Sequence, residues 1–174
     1  FDKDNNEINL NGKLKLIVDY FDFGFDSKKS LTDLSKYVTS TIDEEDANLL
    51  QNQYNKLIKI YKKILNGIEL PLYIDEEINI DLLSKVFKIG INCKNELLDN
   101  LFLIIDMEKL FKEKGILVFI NLKQYLSKNE LLELYKYSIY NQVQIILIDS
   151  QSYGVTLEYE KKLIIDDNLE EIVL

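Results

Sequence analysis

The phrase Ile145-Ile146-Leu147-Ile148-Asp149 sets a carboxylate directly after an apolar run. An acid at the end of a parallel strand is where phosphate-loop nucleotidases hold Mg²⁺, yet many parallel strands simply end in Asp. The companion motif, a Gly-rich loop closing on Gly-Lys-Ser/Thr, is absent, and the six glycines (12, 24, 67, 90, 115 and 154) are scattered. A second acidic group, Glu69, Asp75, Glu76 and Glu77, lies beside Pro71, the chain's one proline. Hard cations such as Ca²⁺ need several oxygen ligands from a bent loop. EF-hand spacing is missing, and these acids equally suit a solvated turn ahead of a helix. Asp43-Glu44-Glu45-Asp46 reads as an N-cap followed by first-turn acids.

Lysine placement offers a different chemistry. The chain carries net charge −9, and all 21 basic residues are lysine. Residues 27–66 are nevertheless net positive by two. Phosphate backbones respond to local potential, so an acidic protein can bind nucleic acid where its lysines converge. Lys28 and Lys29 open one helix, Lys56, Lys59 and Lys63 share a face of the next, and Lys123 and Lys128 flank the start of a later one. A helix N-terminus also favours anions. A soluble, lysine-decorated surface would look the same. The eleven tyrosines fall mostly at apolar helical positions and read as core or interface.

Absences narrow the function. With no histidine, imidazole acid/base chemistry, Ser-His triads and Cys-His zinc sites are excluded within the chain. Without arginine there is no bidentate guanidinium clamp. Cys93 is alone, so no disulfide forms within the chain, and a reducing, cytoplasmic setting is expected. No apolar run reaches the ~18 residues of a membrane span. The chain opens on Phe1, so a fragment lacking upstream residues is expected.

These groups must be positioned by elements. A strand is expected at 14–20, helices at 27–42 and 43–66, a short edge strand at 68–73, a helix at 80–87, a strand at 88–92 pairing back on it, and a helix at 96–113. The run Ile116–Leu122 reads as a strand buried on both faces, as does Val143–Ile148. The helix between them is capped by Ser127 with Glu130 at the capping-box position. Short strands close the chain at 161–165 and 172–174. Strand, helix, strand is a βαβ unit and implies a parallel sheet. The expected architecture is an α/β head (1–26 and 115–174) with an inserted helical lobe (27–114).

The segments Lys114–Asn121, Tyr125–Leu131 and Val143–Asp149 resemble the Csn-two family, the accessory spacer-adaptation proteins of type II-A CRISPR systems. Ile68–Ile78 resembles that family's acidic strand-and-turn segment, and Leu16–Asp26 its strand-to-Gly-Phe-Asp junction. The likeness covers about 14–170. It implies a P-loop-ATPase-like head without a nucleotide-binding motif, an inserted helical lobe, and a homotetrameric ring. It further implies sequence-independent binding of double-stranded DNA ends through lysines, Ca²⁺ at acidic residues, and no catalysis. The implied partners are the CRISPR integrase proteins and the effector nuclease. By position, Lys128 matches a lysine of the family's post-strand helix cap, and Glu69, Asp75, Glu76 and Glu77 fall in the acidic segment. Lys28, Lys29 and Lys123 rest on local charge alone. The family's first strand and helix are missing, and the C-terminal segment diverges. The alternatives are a nucleotidase with its phosphate loop upstream, and a helical scaffold without DNA binding.

Overall fold

The computed structural model describes residues 14–20, 28–111, 115–166 and 168–174. The chain forms two compact units, Phe1–Gly24 with Asn92–Leu174, and Phe25–Ile91.

The first unit is built on three parallel strands, β1 (Leu14–Ile17), β2 (Ile116–Ile120) and β3 (Gln144–Ile148), in the order β1-β2-β3. Register aligns Leu16 with Val118 and Val118 with Ile146. The central strand, ILVFI, is apolar at every position and buries Leu117, Val118 and Phe119. Helices α1 (Lys28–Thr41), α2 (Glu44–Leu65) and α3 (Ile80–Val86) belong to the second unit, and α4 (Leu97–Leu110) and α5 (Lys128–Tyr140) to the first. The link β2–α5–β3 is the parallel βαβ unit that the sequence implies.

Helices α4 and α5 pack on each other. Leu101, Ile104 and Ile105 of α4 and Leu134 of α5 are fully buried. Helix α4 also supplies Glu108, whose buried carboxylate pairs with Lys15 of β1 at 2.6 Å and accepts the Gly115 N–H at 2.9 Å. A buried charge needs such partners. The sequence pattern places 27–114 in one lobe, whereas these contacts give α4 to the first unit. Leu16, Ile146 and Ile148 remain exposed, so β3 is a half-exposed edge and not a strand buried on both faces. The short strands β4 (Leu163–Ile165) and β5 (Glu171–Val173) pair antiparallel in a separate sheet.

In the second unit, Asp43 caps α2 by accepting the Asp46 N–H at 2.8 Å. Helices α1 and α3 pack together. The expected strands at 68–73 and 88–92 do not form. Pro71 has no N–H to give a ladder. The Ile68 and Leu72 N–H groups instead bond locally to Leu65 and Leu70 carbonyls. Strand β1 stops at Ile17, and the expected turn around Gly24 and Asp26, with the Ser27 cap, lies outside the described residues.

Candidate functional site

The carboxyl ends of β2 and β3 are tied together by one residue. Asn121 adopts the left-handed conformation (φ 55°, ψ 34°), which asparagine tolerates better than most side chains. Its N–H donates to the Ile148 carbonyl at 2.8 Å, and its Oδ1 accepts the Ser150 N–H at 2.8 Å. The chain then makes a single 3₁₀ turn, Leu122–Tyr125, burying Leu122. Tyr20, just beyond β1, donates its hydroxyl to the Ile120 carbonyl at 2.5 Å and packs edge-on to Tyr125.

That turn carries Lys123 inward. Its N–H donates to Asp149 Oδ1 at 3.3 Å, and its ammonium pairs with the Glu160 carboxylate. The two side chains of the pair are only 9% and 11% exposed. Glu160 Oε2 also accepts the Leu157 N–H at 3.0 Å. Burial holds the Asp149 carboxyl above its usual range, partly countered by the Lys123 N–H and ammonium, and the Glu160 charge pushes it further up. Burial works against the Glu160 charge as well, but its bonds to Lys123 and Leu157 outweigh this and hold that carboxyl low. Tyr135 of α5 is 6% exposed, and its hydroxyl has no hydrogen-bond partner. Burial first, then the charges of Glu160 and Asp149, push this phenol well above its ordinary value.

The sequence offers Lys123 as a phosphate contact, yet the structure seats it inside, beside two carboxylates. Lys128 is exposed at the first position of α5. The capping box below it is complete, with Ser127 Oγ accepting the Glu130 N–H at 3.3 Å and the Glu130 carboxylate accepting the Ser127 N–H at 2.7 Å. Hydrogen bonds to this carboxylate from Ser127, the side chain's first and the backbone N–H's second, hold the Glu130 carboxyl below its ordinary range. Lys28 and Lys29 are exposed at the start of α1, in the second unit.

The four expected metal ligands are all exposed and do not converge. Asp75 and Glu77 line one hollow of about 400 Å³ with Thr39, Ile78, Asn79 and Ile80. Glu76 turns instead to Lys62, at 2.5 Å, and Glu69 does not line the hollow. The main-chain carbonyls of Asp75 and Glu76 are taken by Tyr54 and Gln51 of α2. Among the described residues, no three His, Cys, Asp or Glu side chains are grouped to hold a metal. Calcium takes six to eight oxygens. This set is not a ready-made cage.

Sequence reasoning missed Glu160 and Tyr135. Glu160 sits in an irregular stretch with no periodicity to mark it, and Tyr135 reads as one more apolar position on a helix. The strand-end Asp149 was the available signal, because ligands in parallel α/β folds gather at the carboxyl ends of strands.

A parallel sheet with helices α4 and α5 packed together, joined in one chain to a helical unit, defines a mixed α/β protein. The crystal structure of Stu0660 of Streptococcus thermophilus has a similar fold, with a TM-score of 0.59 at 15% identity over 84% of this chain and 50% of that one. The chain thus spans half the length of that protein. No curated protein matches the sequence. The family model described as CRISPR-associated protein (Cas_Csn2) matches residues 1–169, and the chain belongs to that family. Among the described residues, no helix is long and apolar enough to cross a membrane.

Proposed function

We propose that this chain is a non-catalytic, sequence-independent binder of double-stranded DNA ends that assists CRISPR spacer acquisition as a homotetrameric ring. Its head is a P-loop-ATPase-like core without the nucleotide motif. The observation that carries the non-catalytic part is Lys123. Where a nucleotidase would hold a metal with its strand-end acid, Asp149 accepts the chain's own Lys123 N–H and lies beside its own ammonium. No histidine stands by as a proton carrier.

The exposed lysines 28, 29 and 128 suit phosphate contact, which positions a protein on a duplex without reading its bases. Lys123 contributes to this only if its pair with Glu160 opens. For calcium, the reading narrows to Asp75 and Glu77, with oxygens from outside this pair completing the shell. Integrase proteins and the effector nuclease are the partners this reading assigns, and the cytoplasm the compartment.

The test is a gel shift on a linear duplex and a covalently closed circle of the same sequence, at low and high salt, with calcium or chelator. The expected result is binding to the linear form alone, falling steeply with salt. Absence of binding to the linear duplex at low salt, with calcium present, would overturn the reading.

A further inference from the structure

Glu160 is delivered to Lys123 by a tight turn. Its N–H donates to the Leu157 carbonyl at 3.2 Å, and its Oε2 accepts the Leu157 N–H. The segment from Ser150 to Lys162 that carries this turn contains no strand or helix. Lys162 Nζ ties its ends, donating to Ser152 Oγ and to the Gly154 carbonyl, each at 3.0 Å. The segment leaves the carboxyl end of β3, where ligands of parallel sheets bind, and lays a carboxylate on Lys123, whose side chain is 9% exposed.

One donor here is left without an acceptor. One Glu160 oxygen meets Lys123 and the other meets the Leu157 N–H. The Tyr135 hydroxyl is buried, feels the Glu160 and Asp149 charges, and has no partner. Buried hydroxyls are nearly always bonded, so one left over asks for an acceptor that is not there. A phosphoryl group brings three or more oxygens to the same donors and binds lysine ammonium as a carboxylate does.

We propose that Lys123 and Tyr135 form a phosphate-binding site that Glu160 fills from within, which makes residues 150–162 an autoinhibitory strap over it. Phosphate displaces Glu160, takes the lysine, and gives the Tyr135 hydroxyl its acceptor. Asp149 opposes any anion here, an opposition that the Lys123 N–H and ammonium partly offset. Where the phosphate is that of DNA, the inference rests on the function proposed above; where it is free phosphate, it does not.

The test uses Glu160→Gln, which keeps the side chain's size and removes the competing charge. Calorimetry with inorganic pyrophosphate is expected to show binding about tenfold tighter than wild type, one charge-assisted contact's worth, and Lys123→Met in that background is expected to abolish the gain. On linear duplex, Glu160→Gln is expected to steepen the log–log salt dependence by about 0.9 per phosphate newly contacted. Saturating pyrophosphate is also expected to speed tryptic cleavage of the wild-type chain after the exposed Lys161, as the strap lifts.

Tyr135→Phe guards against a folding artefact. It removes a hydroxyl that has no bond to lose, so the fold should persist while pyrophosphate affinity drops several-fold. Equal pyrophosphate and duplex binding by wild type, Glu160→Gln and Tyr135→Phe would overturn the inference and leave the DNA reading standing. A pyrophosphate gain with no duplex binding by any variant would support the site as one for free phosphate and count against the DNA reading.

Discussion

Leu101, Phe119 and Leu134 of the first unit are fully buried, whereas Leu57, Ile60 and Ile64 of the second are more than half exposed. Composition does not explain the difference, because both units carry amphipathic helices with Leu and Ile at helical spacing. Architecture does. In the first unit an all-apolar central strand gives α4 and α5 a broad surface on which to bury their stripes. Among its described residues the second has no strand, and Ile58 is the one buried apolar side chain. Its 22-residue α2 is held by polar ties to the turn at 75–78, through Gln51, Tyr54 and Lys62. An amphipathic face alone therefore does not make a core; it needs a second layer.

The sharpest break of this comparison is a matched pair of truncations. Phe119→Ala removes a fully buried ring from the middle strand and is expected to cost about 3–5 kcal/mol. Ile58→Ala removes a buried side chain whose helix neighbours are exposed and free to relax, so about 2 kcal/mol is expected, the low end for such changes. Urea unfolding of each variant measures both. Equal costs would mean that the second unit has a tighter core than its exposed residues indicate.

A smaller effect concerns the seam between α4 and α5. The Tyr137 hydroxyl donates to Asp106 Oδ1 at 2.7 Å, and its ring stacks on Phe102 at 4.2 Å between centroids. That hydrogen bond first, with burial second, pushes the Tyr137 phenol up to about 12. The folded value lies above the unfolded one, so the bond's stabilisation is complete below about pH 10 and lost as pH rises through about 12. Tyr137→Phe keeps the stack and loses the bond, at an expected cost of about 1 kcal/mol near neutrality. Unfolding curves from pH 8 upward are expected to show the gap between wild type and variant narrowing above pH 10. A constant gap would mean that the cost does not come from the hydroxyl's bond to Asp106.

Much of the first unit was legible in the sequence, for a physical reason. A continuous apolar run such as Ile116–Ile120 has few places to go except a doubly covered strand, and Ser127 with Glu130 three residues on is a local bonding pattern complete in four residues. The same locality made the Asp43 cap readable. The boundary of α4 was less so, because its partner Glu108–Lys15 spans distant residues and both are charged, the types least expected inside. The strands expected at 68–73 and 88–92 failed because alternation says which side chains suit a strand, not whether a partner strand accepts its hydrogen bonds. Among the candidate site residues, spacing found Lys123 and Asp149 but not their environment. A lysine in a polar turn looks solvent-facing until Glu160, 37 residues later, closes over it.

The smallest predicted effect bears most directly on the second unit. Leu57 of α2 is 54% exposed, and replacing it by Ser in a single chain should change stability by no more than about 0.5 kcal/mol. If the homotetramer proposed above forms and covers this stripe, the same change buries a hydroxyl against apolar neighbours at the interface. Stability then becomes dependent on protein concentration, because association stabilises only the folded copies. Thermal melts of wild type and Leu57→Ser over a hundredfold concentration range separate the cases. Coincident melts at every concentration mean the α2 stripe stays in water. A deficit in the variant that grows with concentration means a partner supplies the second layer that the unit lacks alone.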